Sequence, residues 1–360
     1  MAQRKSTKLT IGSFDLLKGV AIIVMILSHT IGRYDLQRYF PQGGILNIFA
    51  YIGPVSIPAF FVISGMGFRE KSPSAMLKKT FSDIMIPYFL VMGSYALFFP
   101  LVRYPFTGYW NEVFTYAIRY VAAFLLGNIQ YGRIVFGQEI YWCTSMWFFL
   151  ALFVALNVLN GIVKIKRVSV QVICVLLLTL LGNYLYANDC FWFCIDRGLR
   201  SLGFCYIGYV VKKYKLYDCL QGNLWTYLIT LPIFFLLPKL EQLDETVFLY
   251  VLSTYFAECC CTLPLVFAGV ALGKRDWVGT SWLKKIGMYS YWIVCIHGFE
   301  TEAFPWYIMS QSLRHRPIFA FCLELSIKAV FIIGMCVILK KIANWRYRRK
   351  MRAYGKREIS

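Results

Sequence analysis

Long apolar runs separated by short polar segments follow one another along the chain. Most of them approach the about 20 apolar residues that carry a helix across a bilayer. This pattern predicts an all-α integral membrane protein with about ten transmembrane helices. The predicted spans are residues 14–32, 45–68, 84–102, 141–163, 168–187, 198–211, 223–238, 248–272, 286–304 and 318–339.

An eleventh apolar run, 113–127, is barely long enough to cross and carries Arg119. The distribution of basic residues decides how we interpret it. With ten spans and a cytoplasmic N-terminus, 27 of the 38 Lys and Arg residues fall in inner segments and 10 in outer ones. Inner segments of membrane proteins collect Lys and Arg. We therefore expect both termini in the cytoplasm and a re-entrant or interfacial segment near 113–127.

Composition supports this class of protein. The 360 residues are 59% hydrophobic and 16% charged, with a mean hydropathy of +0.57, whereas soluble domains average about 45–50% and 25%. The net charge of +20 is spread over the loops, so it indicates membrane orientation and not nucleic-acid binding. Most of the 12 cysteines lie in apolar runs, where they act as small hydrophobes, and we predict no metal site.

The pattern shows no soluble domain, so residues 1–360 form one multi-pass membrane domain. The longest polar stretch is the basic tail, 341–360, which we expect to rest in the cytoplasm on anionic lipid.

Three ionisable residues of the first predicted span stand out, because ionisable groups in a membrane are costly and by default face a cavity or a partner. Asp15 and Lys18 begin the span and His29 lies near its other end. Lys18 and His29 are about 20° apart around a helix and about 16 Å apart along it. One face thus offers a cation and an imidazole to a long ligand with an anionic head and a reactive far end. The alternative is a buried histidine that only donates to a carbonyl.

Other ionisable residues lie within predicted spans. Glu324 and Lys328 are four residues apart and are expected to pair. No partner for Glu258 can be named from the sequence.

The first span also carries a resemblance. "FDLLKGVAIIVMILSHT" resembles the basic-x10-His motif of membrane acyltransferase family 3, in the version of its fucose 4-O-acetylase-like members. Other stretches resemble later motifs of this family in the same order, over about 14–340. They are "PAFFVISGMGFR" (58–69), "MLKKTFSDIMIPYFL" (76–90), "MWFFLALF" (146–153) and "IGMYSYWIVCIHGF" (286–299).

This resemblance implies an enzyme of the bacterial inner (cytoplasmic) membrane. It would move an acyl group, usually acetyl, from cytoplasmic acyl-CoA to a hydroxyl of an extracytoplasmic sugar, surface glycan or lipid-linked sugar. Acetyl-CoA would be a substrate, with no bound cofactor, and the surrounding lipids are the other expected partners. The alternative is a multi-pass transporter or flippase of a glycan precursor that performs no acyl transfer.

The resemblance also implies roles on the first span. His29 would be the general base for the acceptor hydroxyl, or the acyl carrier if transfer has two steps. Lys18 would hold a CoA phosphate or the thioester end of the donor, and Asp15 would orient Lys18 as an i,i+3 pair. The family more often has Arg at position 18, and a lysine lacks the bidentate fork of arginine.

The remaining candidates fall into a donor set and an acceptor set. Ser64 is a candidate donor to the thioester carbonyl, although close helix packing explains it equally well. For the CoA phosphates we select basic residues of an inner loop, which alternatively only set the topology: Arg69, Lys78 and Lys79. On the acceptor side the candidates are His297, Glu300, Arg200 and Trp147.

Overall fold

A computed structural model describes residues 2–34, 45–130, 132–189, 192–216, 248–273 and 277–357, and almost all of them are helical. The helices are α1 (Ala2–Tyr34), α2 (Ile45–Gly67), α3 (Pro73–Thr80), α4 (Ile86–Thr107), α5 (Trp110–Leu126), α6 (Trp147–Ile162), α7 (Val168–Ala187), α8 (Ile195–Lys213), α9 (Phe248–Gly273), α10 (Val278–Met288), α11 (Ser290–Ala303), α12 (Trp306–Ser312) and α13 (Pro317–Arg357).

Within the described ranges, six helical segments are long and apolar enough to cross a membrane. They are Phe14–Ile31, Pro73–Thr107, Thr144–Ile162, Val168–Ala187, Val251–Gly273 and Pro317–Ile342. The prediction of a multi-pass helical membrane protein is confirmed at this level. The predicted span 223–238 lies outside the described residues, and the count of ten and the cytoplasmic termini stay predictions.

Large apolar side chains are exposed on the outer surface of several of these helices. On α7 the exposed residues include Val170, Ile173, Leu177 and Leu181. Extended apolar surface of this kind marks contact with a membrane. The buried side of α7 packs on α8.

The third predicted span, 84–102, is part of a longer helical segment. α3 continues through a π-helical turn, Phe81–Met85, directly into α4. A π-helical turn widens the helix by one residue and is frequent at functional sites. Within this turn Asp83 is exposed and Ile84 is buried, and both line a cavity.

Two boundaries differ from the sequence pattern. The predicted span 286–304 is divided between α10 and α11, which meet at Tyr289. α13 continues to Arg357, so the described part of the basic tail prolongs the last helix. The tail contains no proline, and most of its residues between 341 and 357 favour helix, so nothing in it ends α13.

The apolar run 113–127 forms α5, which pairs with α4 as an antiparallel hairpin. Trp110 stacks on Tyr104 at one end, with ring centroids 4.0 Å apart. At the other end the Tyr88 hydroxyl donates to the carbonyl of Phe124 over 2.6 Å. A helix of 17 residues is about 25 Å long, just short of the bilayer core. That this segment does not cross therefore stays a prediction.

A short β-hairpin follows α5 and departs from the all-α prediction. Its antiparallel strands are β1 (Arg133–Val135) and β2 (Gln138–Ile140), with Arg133 opposite Ile140. Arg119 of α5 forms an ion pair of 2.9 Å with Glu139 of β2. The hairpin thus lies against α5 in a region predicted to be an outer loop.

Candidate functional site

The first helix brings its polar residues to one internal cavity, as its spacing predicts. Lys18 and His29 both line this central cavity, whose volume is about 330 Å³. Asp15 forms the predicted ion pair with Lys18, at 3.3 Å. Most of the remaining lining is apolar, including Phe60, Phe148 and Phe149 of the neighbouring helices α2 and α6. The cavity is therefore mostly apolar, and a lysine and an imidazole from one helix face both line it.

Close packing of α1 against α10 fixes the Lys18 end of the cavity. A Cβ atom built on Gly287 would overlap the backbone carbonyl of Asp15, and one built on Gly19 would overlap that of Leu283. Small residues permit such backbone contact between helices in membranes. α10 is thereby held directly against the turn of α1 that carries Asp15 and Lys18.

His29 is the first member of a hydrogen-bonded chain of three side chains. Its Nδ1 lies 3.1 Å from Nε2 of His297, and Nδ1 of His297 lies 2.7 Å from Oε1 of Glu300. An ionised carboxylate only accepts hydrogen bonds, so Nδ1 of His297 carries the proton and its Nε2 accepts one from His29. This arrangement leaves Nε2 of His29 unprotonated. His297 and Glu300 are buried, whereas His29 is exposed to the cavity.

A buried cation lies beside the carboxylate that ends this chain. Lys328 Nζ is 3.6 Å from Oε1 of Glu300 and 2.8 Å from Oε1 of Glu324, which confirms the predicted Glu324–Lys328 pair. Its ammonium also donates to Thr30 over 3.2 Å. Trp306 Nε1 donates to the other oxygen of Glu300 over 2.9 Å. Glu300 thus has the charge and hydrogen-bond partners that a buried carboxylate needs.

Two residues that line the same cavity each carry a hydrogen-bond donor without a partner. The hydroxyl of Ser145 and the indole N–H of Trp142 are buried and make no hydrogen bond, and both residues line the central cavity. Thr144 between them has a φ of 51°, which is rare for a β-branched residue. Buried donors are normally satisfied, and strained backbone is concentrated at functional sites. Together these features indicate a ligand-binding position at the start of α6.

The predicted donor residues are divided between the cavity and the surface. Ser64 lines the cavity, with its hydroxyl donating to the carbonyl of Phe60 over 2.8 Å. Arg69, Lys78 and Lys79 are exposed and do not line it. Lys79 forms an ion pair of 2.6 Å with Asp83, and Asp83 lines the cavity together with Lys18. Lys79 therefore contacts a lining residue of the cavity through this ion pair, although Lys79 does not line the cavity itself.

The predicted acceptor residues also lie in different parts of the structure. His297 and Glu300 belong to the chain behind His29, so Glu300 is buried and hydrogen-bonded rather than exposed at an outer surface. Trp147 lines the central cavity. Arg200 lines a second cavity of about 220 Å³, which also contains Trp147 and which we call the side cavity. There Arg200 donates to both oxygens of Glu258 over 3.2 Å, the partner that the sequence did not reveal.

Sequence reasoning did not single out Asp83, Ser145 or Tyr186, which line these cavities. Asp83 lies within the stretch 76–90, and Ser145 directly precedes the stretch 146–153. The only available signal was the resemblance of the neighbouring segments to family motifs. Within the described ranges no group of three or more His, Cys, Asp or Glu side chains has the geometry to hold a metal ion.

Comparison with known families agrees with this geometry. The sequence profile of an acyltransferase domain matches residues 11–341, which is nearly the whole chain. The chain belongs to acyltransferase family 3. The matched region contains the central cavity, the chain of three side chains and the side cavity. Neither a comparison with curated proteins nor one with solved structures gives a match.

Membership of acyltransferase family 3 makes the protein an acyltransferase of the O-acetyltransferase type. Its apolar helices make it a multi-pass membrane protein. The enzyme class therefore rests on the family, and the cavity identifies which residues are in a position to carry the chemistry.

Proposed function

We propose that this acyltransferase moves an acetyl group from cytoplasmic acetyl-CoA to a sugar hydroxyl on the other side of a bacterial cytoplasmic membrane. The observation that carries the proposal is that Lys18 and His29 line one apolar cavity. They are about 16 Å apart along α1, which is about the length of the pantetheine arm of CoA. A cavity of this shape holds the arm and brings the thioester to the imidazole.

Nε2 of His29 is the general base of the proposed reaction. It takes the proton of the acceptor hydroxyl while the hydroxyl oxygen forms a bond to the thioester carbon. The carbon–sulfur bond then breaks, and the CoA thiolate receives the proton from the imidazolium. The products are the sugar acetate and CoA with a free thiol. A base of this kind contributes about 10²–10⁴-fold to the rate.

His297 and Glu300 are positioning residues for His29. Glu300 fixes the tautomer of His297, and His297 in turn holds the Nδ1 proton of His29. The negative charge of Glu300 also stabilises the positive charge that forms on His29 when it takes a proton. The arrangement resembles hydrolase triads, in which a third group orients the histidine that acts as the base.

Ser145 and Trp142 supply the proposed stabilisation of the carbonyl oxygen. The oxygen of the thioester becomes negatively charged when the hydroxyl attacks, and preorganised donors stabilise such an oxyanion. Both donors are buried and unpaired, so accepting the oxyanion costs them no existing hydrogen bond.

Lys18 is the proposed contact for a CoA phosphate, with Asp15 holding its ammonium at the cavity end. The surface cations Arg69, Lys78 and Lys79 are proposed contacts for the remaining phosphates, outside the cavity. This assignment requires the Lys18 end to face the cytoplasm. A reporter that is active only in the cytoplasm should therefore be active when fused after Lys166 and inactive when fused after Asp244. Activity at Asp244 would contradict the orientation.

The function itself is tested with purified protein in detergent or nanodiscs and acetyl-CoA labelled in the acetyl group. Acyl transfer predicts release of the CoA thiol and movement of the label to an added sugar or, slowly, to water. A transporter or flippase predicts neither. Label retained on His29 in the absence of an acceptor would favour the two-step route through an acyl-histidine over direct transfer.

A further inference from the structure

The side cavity lies next to the central one. It lies between α2, α6, α7, α8 and α9, and Ile57 and Trp147 line both cavities. The two cavities are therefore adjacent and share these two lining residues. The polar and aromatic residues that line the side cavity are Trp147, Tyr186, Arg197, Arg200, Ser201 and Glu258.

Aromatic rings and guanidinium groups alternate along the wall of the side cavity. The guanidinium carbon of Arg197 lies 5.2 Å from the ring centre of Trp147 and 4.8 Å from that of Tyr186. The guanidinium carbon of Arg200 lies 4.8 Å from the ring centre of the same Tyr186 and 5.6 Å from that of Tyr255. Each arginine is thus held by cation–π contacts, and the wall combines aromatic faces with fixed N–H donors.

The charges of the side cavity compensate one another. Arg200 is paired with Glu258 at 3.2 Å, and Arg197 is paired with Asp196 at 3.3 Å. An anionic ligand would have to compete with carboxylates that already occupy both arginines. A neutral ligand with several hydroxyls would instead add hydrogen bonds, because a guanidinium has five N–H donors and a carboxylate has several acceptor sites.

We propose that the side cavity is the acceptor site, and that it binds one neutral pyranose unit of the sugar. This inference rests on the proposed function and adds the location and the chemical class of the acceptor. The volume of about 220 Å³ is enough for a ligand of the size of one sugar ring.

The position of the side cavity fits this role. Trp147 begins α6, Tyr186 is the penultimate residue of α7, and Arg197 is in the first turn of α8. These three ends are predicted to be on the outer side. A hydroxyl that extends past Trp147 and Ile57 enters the central cavity, which His29 lines. The acceptor and the donor thus approach His29 from different cavities.

The test compares variants that alter the wall without leaving a buried charge unpaired. Arg197→Lys keeps a cation beside Asp196 but removes the fork and its stacking, and Tyr186→Leu removes the shared aromatic face. Arg119→Gln is the control, since it also removes a predicted outer arginine with an ion pair but lies on α5, outside both cavities. Purified proteins receive labelled acetyl-CoA and methyl pyranosides of neutral hexoses, or methyl glucuronide.

Three quantities are measured: the KM for the methyl pyranoside, the KM for acetyl-CoA, and the slow hydrolysis of acetyl-CoA without sugar. We expect both variants to raise the KM for the pyranoside at least tenfold. Arg197→Lys removes a charge-assisted hydrogen bond from the fork of the guanidinium, and Tyr186→Leu removes the ring that holds both arginines. The acetyl-CoA KM and the hydrolysis rate should stay at wild-type values, and the Arg119→Gln variant should match wild type in all three. The wild type should acetylate the neutral pyranosides faster than methyl glucuronide.

Unchanged pyranoside KM in both variants would overturn the assignment of the side cavity. A preference of the wild type for the glucuronide, or acetylation of none of the neutral pyranosides while acetyl-CoA hydrolysis persists, would overturn the neutral-sugar class. In these cases the proposed acyl-CoA chemistry still stands. Absence of both hydrolysis and transfer in the wild type would instead contradict the proposed function itself.

Discussion

Replacing Glu300 by Gln tests whether the buried chain behind His29 acts in catalysis. The substitution keeps the shape of the side chain and removes its negative charge. In the wild type, Glu300 lies 2.7 Å from Nδ1 of His297 and requires this nitrogen to carry the proton. A glutamine amide can donate as well as accept, so it no longer fixes this tautomer. Lys328 keeps its stronger ion pair, at 2.8 Å with Glu324, so it is not left without a carboxylate.

The expected size of the effect follows from the geometry. The two hydrogen bonds of the chain, of 3.1 and 2.7 Å, and the width of one imidazole place the carboxylate roughly 8 Å from His29. Two unit charges at this distance interact by about 2 kcal/mol at an effective dielectric constant of about 20. Loss of this stabilisation lowers kcat about 30-fold. A wrong tautomer of His297 would add to the loss, towards the about 10⁴-fold seen when a triad carboxylate becomes an amide.

The assay measures kcat and the KM for acetyl-CoA of purified Glu300→Gln protein, with thermal unfolding as a check of folding. Glu302→Gln is the matched control, because Glu302 is on the same helix but accepts a 2.6 Å hydrogen bond from Tyr120 and not from a histidine. We expect a loss in kcat of at least about 30-fold at unchanged KM for Glu300→Gln, and near-normal values for the control. A stably folded Glu300→Gln protein with kcat within threefold of wild type would refute the reasoning.

Substitutions of Lys18 and Ser145 test two further residues that line the central cavity. Lys18→Ala should raise the Kd for acetyl-CoA in a direct binding assay, because it removes the proposed phosphate contact, whereas Lys18→Arg should keep most of the affinity; Lys164→Ala is the control on an exposed loop. An unchanged Kd in Lys18→Ala would place the phosphate site elsewhere. Ser145→Ala should lower kcat about 10²–10³-fold, as for removal of one oxyanion donor, at little change in acetyl-CoA Kd. Ser94→Ala, whose hydroxyl donates only to a helix carbonyl, should have normal kcat, and equal kcat in both serine variants would exclude the proposed oxyanion contact.

Local spacing in the sequence predicted the part of the site that lies on one helix. The shared face of Lys18 and His29 and the pairing of Asp15 with Lys18 follow from helix geometry alone, since neighbours three, four or eleven residues apart lie on one side. The same holds for Glu324 and Lys328. In each case one regular element determines the contact, so no knowledge of the tertiary fold is needed.

Spacing along one helix could not predict contacts between segments that are distant in the sequence. His29 and His297 are 268 residues apart, and Arg200 and Glu258 are 58 apart. Their pairing depends on how helices cross, which is decided by glycine contacts such as that of Gly287 with α1. Hydropathy is continuous across Tyr289, so the break between α10 and α11 left no signal. Ser145 was missed because its role depends on a missing hydrogen-bond partner.

The central claim is that His29 removes the proton of the acceptor hydroxyl, and His29→Gln tests it most directly. Glutamine retains polar hydrogen bonding but cannot act as a base. The measurement is the rate of transfer of labelled acetyl from acetyl-CoA to a sugar by purified protein. His315→Gln, at an exposed turn between α12 and α13, is the matched control.

We expect the His29→Gln variant to lose about 10²–10⁴-fold in kcat while it binds acetyl-CoA with wild-type affinity, because the Lys18 end of the cavity is about three helical turns away. The His315→Gln variant should have wild-type kcat. Near-wild-type acetyl transfer by a stably folded His29→Gln protein would contradict the account.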